Sequence, residues 1–550
     1  MKSAANSLES LSKSELIAAL QAHELLIKNQ LQEHNKQLAQ RDNIITLLEE
    51  KLRLLRCQGY GARSEQRGND PQADLFNEVD ALASSPDTDE LEAGSVTTEN
   101  AADQSSEEPS ADTQTITYER RRTRGRKALP ESLPRVEIEL DIPESDKVCG
   151  CGCQKNRIGS DTSERLEIVP TKVFVERHIR YKYACPKCED GVQIAATVPA
   201  MIPKSNAGPG LLAYVVTAKY QDALPLHRQE KIFNRHGVEL TRQTLVNWII
   251  KCSQALDPVL DQMERVLRCA PVILMDETTV QVNKEEGKEA SSKSYMWIRR
   301  ALAPPDDDNA RGADITLYHY SRSRGSDVAS ELLHGYHGAL MTDAYAGYNS
   351  VVASQQLTHA QCWAHARRKF VEAVKSLPKG KKSPAISAIL NEIAKLYGVE
   401  KQIKALSASD KQIQRDALAK PILEKLHQNL LKKANEVVPK SALGEAVHYT
   451  LKCWVGLAQY IKNGHIPIDN NGAENGIRPF VIGRKNWMFC DTVNGAHASA
   501  RLYSIIETAK ANGLEPYQYL GHLFTELPKA SCEADVEKLL PWRIDRLQLQ

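Results

Sequence analysis

The 550-residue chain lacks any apolar run of 18 residues, which excludes a membrane-spanning helix of ordinary length. Its first residues also lack the apolar core of a secretory signal, so we expect a cytoplasmic protein with no membrane partner. Twelve cysteines in a chain this long do not make a disulfide scaffold, which agrees with a reducing compartment. Net charge is only +1, but the charges are unevenly distributed, and the length predicts several domains.

Residues 8–57 contain no proline or glycine, which predicts one or two helices. Leucine or isoleucine recurs every seven residues at Leu31, Leu38, Ile45 and Leu52. Leu48 and Leu55 supply part of a second stripe, although His34 and Arg41 interrupt it. The repeat predicts a short coiled coil through which the chain forms a homo-oligomer. A helix that packs within its own chain is the alternative.

Residues 68–118 contain no lysine or arginine but thirteen aspartates and glutamates. Such a segment cannot bury enough apolar surface to offset its ordering entropy, so we predict a disordered acidic linker. Residues 120–127 then carry six positive charges, which can neutralise DNA phosphates. The DNA-binding candidates here are Arg120, Arg121, Arg122 and Arg124. A solvated arm, or one that pairs with the acidic linker, is the alternative.

Five cysteines cluster within forty residues, at Cys149, Cys151, Cys153, Cys185 and Cys188. The second group is a Cys-x-x-Cys pair, whose spacing lets both thiolates reach one tetrahedral ion, whereas the first group is less regular. Alternating side chains over 167–170 and 172–183 predict strands of a small β-ribbon between the two groups. We therefore expect four of the five thiolates to hold a structural zinc ion. Reduced cysteines without metal are the alternative.

Residues 208–267 have a helical pattern with a glycine turn inside it. Gly237 is placed to end one helix and Thr241 to cap the next. With Arg242 and other polar side chains facing outward, the segment resembles a helix-turn-helix that contacts DNA. Many helical hairpins with this pattern bind no DNA, so that alternative stays open.

The apolar stretch 271–282 is a predicted β-strand that carries a carboxylate, Asp276. A buried carboxylate is costly unless it is paired or binds a metal. A strand end where Asp276 meets solvent is the alternative.

The elements that follow Asp276 suggest a fold. Two further strands are predicted at 294–300 and 315–320, then a helix, and then a fourth strand from 338 that ends at Asp343. A helix, a fifth strand near 359–362 and a helix from 363 follow. This is the element order of a ribonuclease H-like domain, in which the first and fourth strands are neighbours. Asp276 and Asp343 would then converge.

A later stretch, residues 468–489, contains the pattern Asn-Asn-x-x-Glu-x-x-x-Arg-Pro. Here the sequence closely resembles the insertion sequence 66 family of bacterial transposases, and the resemblance makes Glu474 the third acid. It extends to Met275-Asp276-Glu-Thr, Thr342-Asp343-Ala-Tyr-x-Gly-Tyr and Cys362-Trp-Ala-His, and to the zipper, the cysteines and Leu540-Pro-Trp-Arg. The departures are the irregular first cysteine group, the long acidic linker and Gly476-Ile477.

The resemblance implies a multidomain α+β protein. Its parts are an N-terminal coiled coil, a small zinc-binding β-ribbon, a helix-turn-helix-like helical region and a ribonuclease H-like α/β catalytic domain with a helical insertion. The predicted regions are a coiled coil (8–57), an acidic linker (68–118), a basic arm with zinc domain (119–200), a helical region (208–267), a first catalytic part (268–376), an insertion (377–463), a second catalytic part (464–515) and a tail (516–550).

Three carboxylates without cysteine or histidine suit Mg²⁺ or Mn²⁺. Two such ions could activate a water or a DNA 3′-hydroxyl and stabilise the leaving oxygen. We hypothesise that Asp276 bridges both ions while Asp343 and Glu474 each complete one. Phosphate contacts are predicted for Arg478, Arg484 and Lys485.

Three polar residues, Glu277, Cys362 and His365, lie close in sequence to the predicted acids or strands and are interpreted separately. Strand alternation turns Glu277 to the face opposite Asp276. Cys362 and His365 either support the site or pack in the core. His365 is not expected to bind zinc, because no paired ligands lie nearby in the sequence.

The predicted function is a DNA transposase that cleaves the ends of an insertion sequence and joins the 3′-ends to target DNA. Its partners would be double-stranded DNA, at the terminal inverted repeats and the target, a second copy of the chain, and accessory proteins of the same element. We expect it in the bacterial cytoplasm, associated with the nucleoid. The alternatives are a catalytically inactive DNA-binding regulator with the same fold and a ribonuclease-type hydrolase.

Overall fold

The structure, a computed structural model, describes residues 13–60, 173–180, 182–183, 193–194, 196–302, 313–378 and 380–549. The chain forms two compact units, one of Met1–Pro86 with Ala196–Gln550 and one of Asp87–Ala195. Three predicted features lie outside the described residues: the acidic linker, the basic arm with the four arginines predicted to bind DNA, and the five clustered cysteines. Within the described ranges, no helix is both long and apolar enough to cross a membrane.

The larger unit begins with a 48-residue helix, α1 (Lys13–Tyr60), which confirms the predicted helix. Its heptad side chains are exposed; Leu31, for example, is 60% exposed and Ile45 54%. Near its end the helix packs against its own chain, since Arg53 Nε donates to the Ser376 carbonyl at 2.8 Å and Glu50 accepts from the Ala442 amide at 3.2 Å. Most of the apolar stripe is therefore free to bind a partner.

Four helices follow, α2 (Pro209–Tyr220), α3 (Leu226–Arg235), α4 (Arg242–Ala255) and α5 (Asp257–Arg268). Thr241 caps α4 as predicted, because its hydroxyl accepts from the Thr244 amide at 3.2 Å. Gly237 has a φ of +75°, which explains why a glycine ends α3. The structure thus contains the predicted pair of helices, α3 and α4, with a glycine turn between them.

A mixed sheet forms the centre of this unit. Its strands are β3 (Val272–Lys284), β4 (Lys293–Ala301), β5 (Ile315–Ser321), β6 (Ala339–Thr342), β7 (Thr358–Gln361) and β8 (Cys490–Thr492). The order is β5-β4-β3-β6-β7, with β8 paired to the far end of β3. β3 and β4, and β4 and β5, are antiparallel, whereas β6 is parallel to both β3 and β7. The predicted adjacency of the first and fourth strands is confirmed.

Short helices connect the strands where the sequence predicts them. They are α6 (Ser326–Leu332), α7 (Asn349–Ser354) and α8 (Trp363–Ser376). Helix α8 begins directly after β7 and buries Trp363, Ala366 and Phe370. Because these apolar residues recur at helical spacing, they place one face of α8 against the core.

Residues 377–463 are rich in helix, as predicted. They form α9 (Pro384–Ile403), α10 (Ala408–Gln414), α11 (Lys420–Glu436), α12 (Ala442–Lys452) and α13 (Trp454–Leu457). Arg415, between α10 and α11, is 2% exposed. Its guanidinium binds the Glu400 carboxylate at 2.7 Å and the Tyr460 carbonyl at 2.7 Å. A buried charge with these partners stabilises the packing of the segment.

The last helices are α14 (Asn471–Trp487), α15 (Val493–Ala511), α16 (Pro516–Glu526) and α17 (Glu533–Lys538). Helix α15 covers β5, where Ser504 accepts from the Tyr318 amide at 2.7 Å. Helix α14 lies very close to β3 and β4. A Cβ at Gly472 would lie 2.7 Å from Leu274, and one at Gly476 would lie 2.8 Å from Ile298. This contact explains why a glycine occupies position 476.

The smaller unit contains a two-stranded antiparallel sheet among its described residues, β1 (Lys182–Tyr183) with β2 (Gln193–Ile194). The prediction of strands over 172–183 is wrong for residues 173–180, which form no strand. These residues are exposed, with Val175 at 92%. The alternation of apolar and polar residues over 173–180 therefore does not correspond to a buried face. A β-strand needs a paired neighbouring strand as well as an alternating sequence.

Candidate active site

Asp276 lies in the middle of β3 and is half-buried. Burial raises the pKa of its carboxyl from 3.8 to about 7, and the negative charges of Glu277, Glu474 and Asp343 add to this effect. One oxygen accepts from the Glu277 amide at 2.8 Å. The raised pKa therefore reflects first the burial of the Asp276 carboxyl and then its closeness to three other acids.

Asp343 directly follows β6, the parallel neighbour of β3. The last registered pair is Leu274 with Met341, so Asp276 and Asp343 each come two residues later, at the same level of adjacent strands. Neighbouring strands are about 4.8 Å apart, which brings the two carboxylates together. The backbone holds Asp343 in place, since the Tyr345 amide donates to its carboxylate at 2.9 Å.

Glu474 lies in the first turn of α14, the helix that packs on β3 and β4. Its two oxygens lie 3.7 Å from His365 Nδ1 and 3.7 Å from an Arg368 guanidinium nitrogen. Glu474 Oε1 and His365 Nδ1 are buried and have no hydrogen-bond partner among the described residues. The structure thus brings all three predicted acids together and leaves a carboxylate oxygen free to bind a cation.

Asn470 fixes the start of α14 to the sheet, a role that our reading of the sequence missed. Its side chain is 1% exposed, and its Nδ2 donates to the carbonyl of Met275 at 2.9 Å. Its backbone amide donates to the Cys362 sulfur at 3.1 Å. Asn470 therefore connects the helix that carries Glu474 to the residue next to Asp276. The signal in the sequence was the pair of asparagines before the acid.

A fourth acid, Asp469, was also missed. Burial raises its pKa to about 6, and the Glu474 charge contributes. It accepts hydrogen bonds from the Asn471 amide at 3.1 Å and from the Tyr397 hydroxyl at 3.1 Å. Because both carboxylate oxygens of Asp469 accept hydrogen bonds from this chain, Asp469 holds the start of α14 in place and offers no free oxygen to the acid cluster.

Cys362, His365 and Glu474 form a second group that could hold a metal ion. One ligand atom of each lies within 4.8 Å of the others. The fold thus brings to His365 a partner that its sequence neighbours do not supply, because Glu474 comes from more than a hundred residues away. That His365 binds no zinc stays a prediction. The Cys362 thiol is buried, and burial raises its pKa, which disfavours a thiolate there.

Glu277, next to Asp276, has partners of its own. Its carboxylate accepts from Arg324 Nε at 2.5 Å and from the Tyr348 hydroxyl at 2.6 Å, and its side chain is 2% exposed. Burial raises the pKa of Glu277, while Tyr348 and Arg324 lower it. These contacts agree with the interpretation that Glu277 is a structural residue.

The predicted DNA contacts occupy different places in the described structure. Arg484, on α14, donates to the hydroxyls of Thr278 at 3.4 Å and Thr279 at 3.2 Å, on the strand of Asp276. Lys485 and Arg242 are exposed, on α14 and α4. Arg478 is half-buried and interacts with neighbouring groups. Three of these cations therefore share a helix with Glu474, while Arg242 lies on the helix–turn–helix.

Comparison with known families first gives the class of the protein, since four family profiles of transposases match the chain. "Transposase IS66 family" matches residues 204–498 and "IS66 C-terminal element" residues 504–542. "Zinc-finger binding domain of transposase IS66" matches residues 146–189, which include the five cysteines, and "Transposase C of IS166 homeodomain" matches residues 47–138. The chain belongs to the IS66 family of transposases.

Curated relatives come from Sinorhizobium fredii. Uncharacterized protein y4jD is 32% identical over 490 residues, which cover 88% of this chain and 91% of that protein. Uncharacterized protein y4hP is 29% identical over 514 residues, covering 91% and 89%. Uncharacterized protein y4qI is 31% identical over 433 residues, covering 77% and 78%. The similarity thus extends over most of each chain.

Proposed function

We propose that this chain is a DNA transposase that cleaves the ends of its insertion sequence and joins the freed 3′-ends to target DNA. The observation that carries the proposal is the meeting of Asp276 and Asp343, at one level of two parallel strands, with Glu474 on the helix above. The strand order β5-β4-β3-β6-β7 is that expected of a ribonuclease H-like domain and supports the same function.

The three carboxylates fit divalent cations. They are hard oxygen ligands, Glu474 Oε1 has no partner among the described residues, and the pKa of Asp276 is raised to about 7 by burial and neighbouring acids. Asp276, Asp343 and Glu474 would hold Mg²⁺ or Mn²⁺. When bound, such ions make a water or a 3′-hydroxyl a better nucleophile and stabilise the leaving oxygen.

The chain's other residues position the DNA and the helix. Asn470 keeps Glu474 over the strand of Asp276, so the acids keep their spacing. Arg478 would bind a phosphate next to the cleaved bond, and Arg484 and Lys485 would bind phosphates further along the strand, because they follow Glu474 along one helix. Duplex DNA would also contact the helix–turn–helix through Arg242 and the basic arm of residues 120–127.

The N-terminal regions would organise the assembly. The exposed stripe of α1 would form a coiled coil with a second copy of the chain. Four of the five clustered cysteines would hold a structural Zn²⁺, in agreement with the zinc-finger profile that covers them. Accessory proteins of the same element would complete the complex, which would act at the nucleoid in the bacterial cytoplasm.

The test is metal-dependent nicking and joining of a duplex that contains the element's end. Asp276→Asn, Asp343→Asn and Glu474→Gln should each abolish cleavage while retaining end binding. Glu331→Gln, a change of an exposed acid on α6, should leave cleavage intact. Cleavage by Asp276→Asn would overturn the site, and end binding without any cleavage by the unchanged protein would favour the inactive regulator.

A further inference from the structure

The helix that carries Glu474 ends in an unusual turn. Met488 has φ +66° and ψ −51°, and the Phe489 amide donates to the Trp487 carbonyl at 2.8 Å. These features define a γ-turn of the rare positive-φ kind, which is strained for a residue with a side chain. Strain of this type persists where the surrounding structure imposes it, and it is frequent at functional sites.

The turn is fixed on both sides by buried contacts. Before it, the Trp487 ring packs edge-on against Phe480, with ring centroids 5.5 Å apart. After it, Cys490 is 8% exposed and pairs with Val282 of β3 in the sheet. The backbone of Met488 and Phe489 is therefore held between two anchored residues, and the γ-turn is the connection between them.

The consequence of this turn is that large apolar side chains project into solvent. Met488 is 70% exposed and Phe489 43%, and Ile482 on the same helix is 52% exposed. Apolar groups in these positions contribute little to the stability of the fold, because folding removes little of their surface from water. We call Met488 and Phe489 the apolar tip.

The charges around the apolar tip suit a polyanion. Glu474 is the only acid in α14, and Arg478, Arg484 and Lys485 follow it. The nearest acid after the tip in the sequence, Asp491, is balanced by Lys284 at 2.7 Å. A helix that begins at the proposed catalytic acid and continues with cations can follow the sugar–phosphate backbone away from the cleaved bond.

We propose that the apolar tip inserts against a base step of the element's terminal DNA. The inference rests on the proposed function, because it takes Glu474 as the point where the DNA is cut. Met488 comes fourteen residues after Glu474, which at about 1.5 Å per residue places it about 21 Å along the helix. At about 3.4 Å per base pair this corresponds to roughly six base pairs from the cleaved phosphate. Phenylalanine and methionine are typical of side chains that partly unstack such steps.

The experiment uses the full chain and duplexes that contain the element's end. Each duplex carries 2-aminopurine at a single position, two to ten base pairs from the cleavage point. Ca²⁺ replaces Mg²⁺ to prevent cutting. With the unchanged protein, fluorescence should rise at one or two positions near the sixth base pair. Phe489→Ala should abolish the rise and weaken end binding roughly tenfold, the order of one base–aromatic contact.

Two further variants make the result specific. Met488→Gly removes a side chain and at the same time suits the positive φ, so it should keep the fold and lose most of the signal. Ile413→Ala removes an apolar side chain of similar exposure, 62%, on α10, and should change nothing. Lys485→Ala should weaken binding at all positions and reduce its salt dependence without moving the fluorescence peak.

The outcomes separate the two proposals. If the unchanged protein cleaves the end but no base responds, or if Phe489→Ala and Met488→Gly leave the profile unaltered, the apolar tip does not contact bases. If these variants instead change the molar mass of the protein in solution, the tip is a protein interface and the inference is overturned. If the unchanged protein neither binds nor cleaves end DNA, the proposed function itself fails.

Discussion

Replacing Asp276 by asparagine should inactivate the protein and also make its metal-free form more stable. The carboxylate of Asp276 is half-buried among Glu277, Glu474 and Asp343, so its negative charge opposes folding when no cation is present. Asparagine has nearly the same shape, and its oxygen can still accept the Glu277 amide proton. The substitution therefore removes repulsion without removing the hydrogen bond or creating a cavity.

The size of the effect follows from the pKa. A change from 3.8 to about 7 is roughly three pH units, and each unit corresponds to about 1.4 kcal/mol, so the charge costs at most about 4 kcal/mol above pH 7. Between about pH 4 and 7 the native protein retains a proton that the unfolded chain has released. The stability of the unchanged protein therefore falls as pH rises through this window. At pH 5 the gain from asparagine should shrink to about 2 kcal/mol.

The assay is thermal unfolding in magnesium-free buffer at pH 8 and pH 5, without chelator so that the zinc domain is not disturbed. At pH 8 the unfolding midpoint of Asp276→Asn should exceed that of the unchanged protein by up to about 5 °C, and the difference should be smaller at pH 5. Mg²⁺ should raise the midpoint of the unchanged protein more than that of the variant. Equal midpoints at pH 8, or a difference independent of pH, would refute the reasoning.

Two other substitutions test the packing of α14 on the sheet. Asn470→Ala leaves the buried Met275 carbonyl on β3 without its donor, so it should lower the free energy of unfolding by about 1–3 kcal/mol and slow cleavage. Chemical denaturation measures the first effect and DNA nicking the second. A variant with unchanged stability and full activity would contradict the role of Asn470 in holding α14 on the sheet. Gly476→Val places new atoms against Ile298 and should destabilise the protein by about 1–3 kcal/mol. Shortening Ile298 to alanine in the same chain should recover part of that loss, and no recovery would argue against this contact.

Much of the fold could be predicted because its signals are local. The first three strands of the large sheet, β3 to β5, are rich in β-branched or aromatic residues, and Thr241 and Gly237 mark helix ends by their own chemistry. The strand order then placed Asp276 beside Asp343. Glu474 could be identified only through its family context, since nothing in its local pattern points to the sheet.

The parts that could not be predicted depend on contacts between distant residues. Asn470 meets Met275 across 195 residues of chain, and Arg484 meets Thr279 across 205. The sequence assigns His365 no metal-binding partner because its sequence neighbours supply none, whereas the folded chain places Glu474 next to it. The strand prediction for residues 173–180 was wrong for the opposite reason, because the local alternation has no paired strand beside it among the described residues. Local patterns therefore specify elements, while ligand sets require the assembled structure.

The position of Glu474 in the chain also determines when the site can exist during synthesis. Asp343 is made 67 residues after Asp276, and roughly 130 more residues, including all of α9–α13, must be made before Glu474 follows. At about 5–20 residues per second this interval lasts about 7–26 seconds. During it, the growing chain already exposes an acid pair but lacks the helix that completes the cluster. Any activity that needs all three acids is thus absent from the nascent protein until α14 has been made and has packed on the sheet.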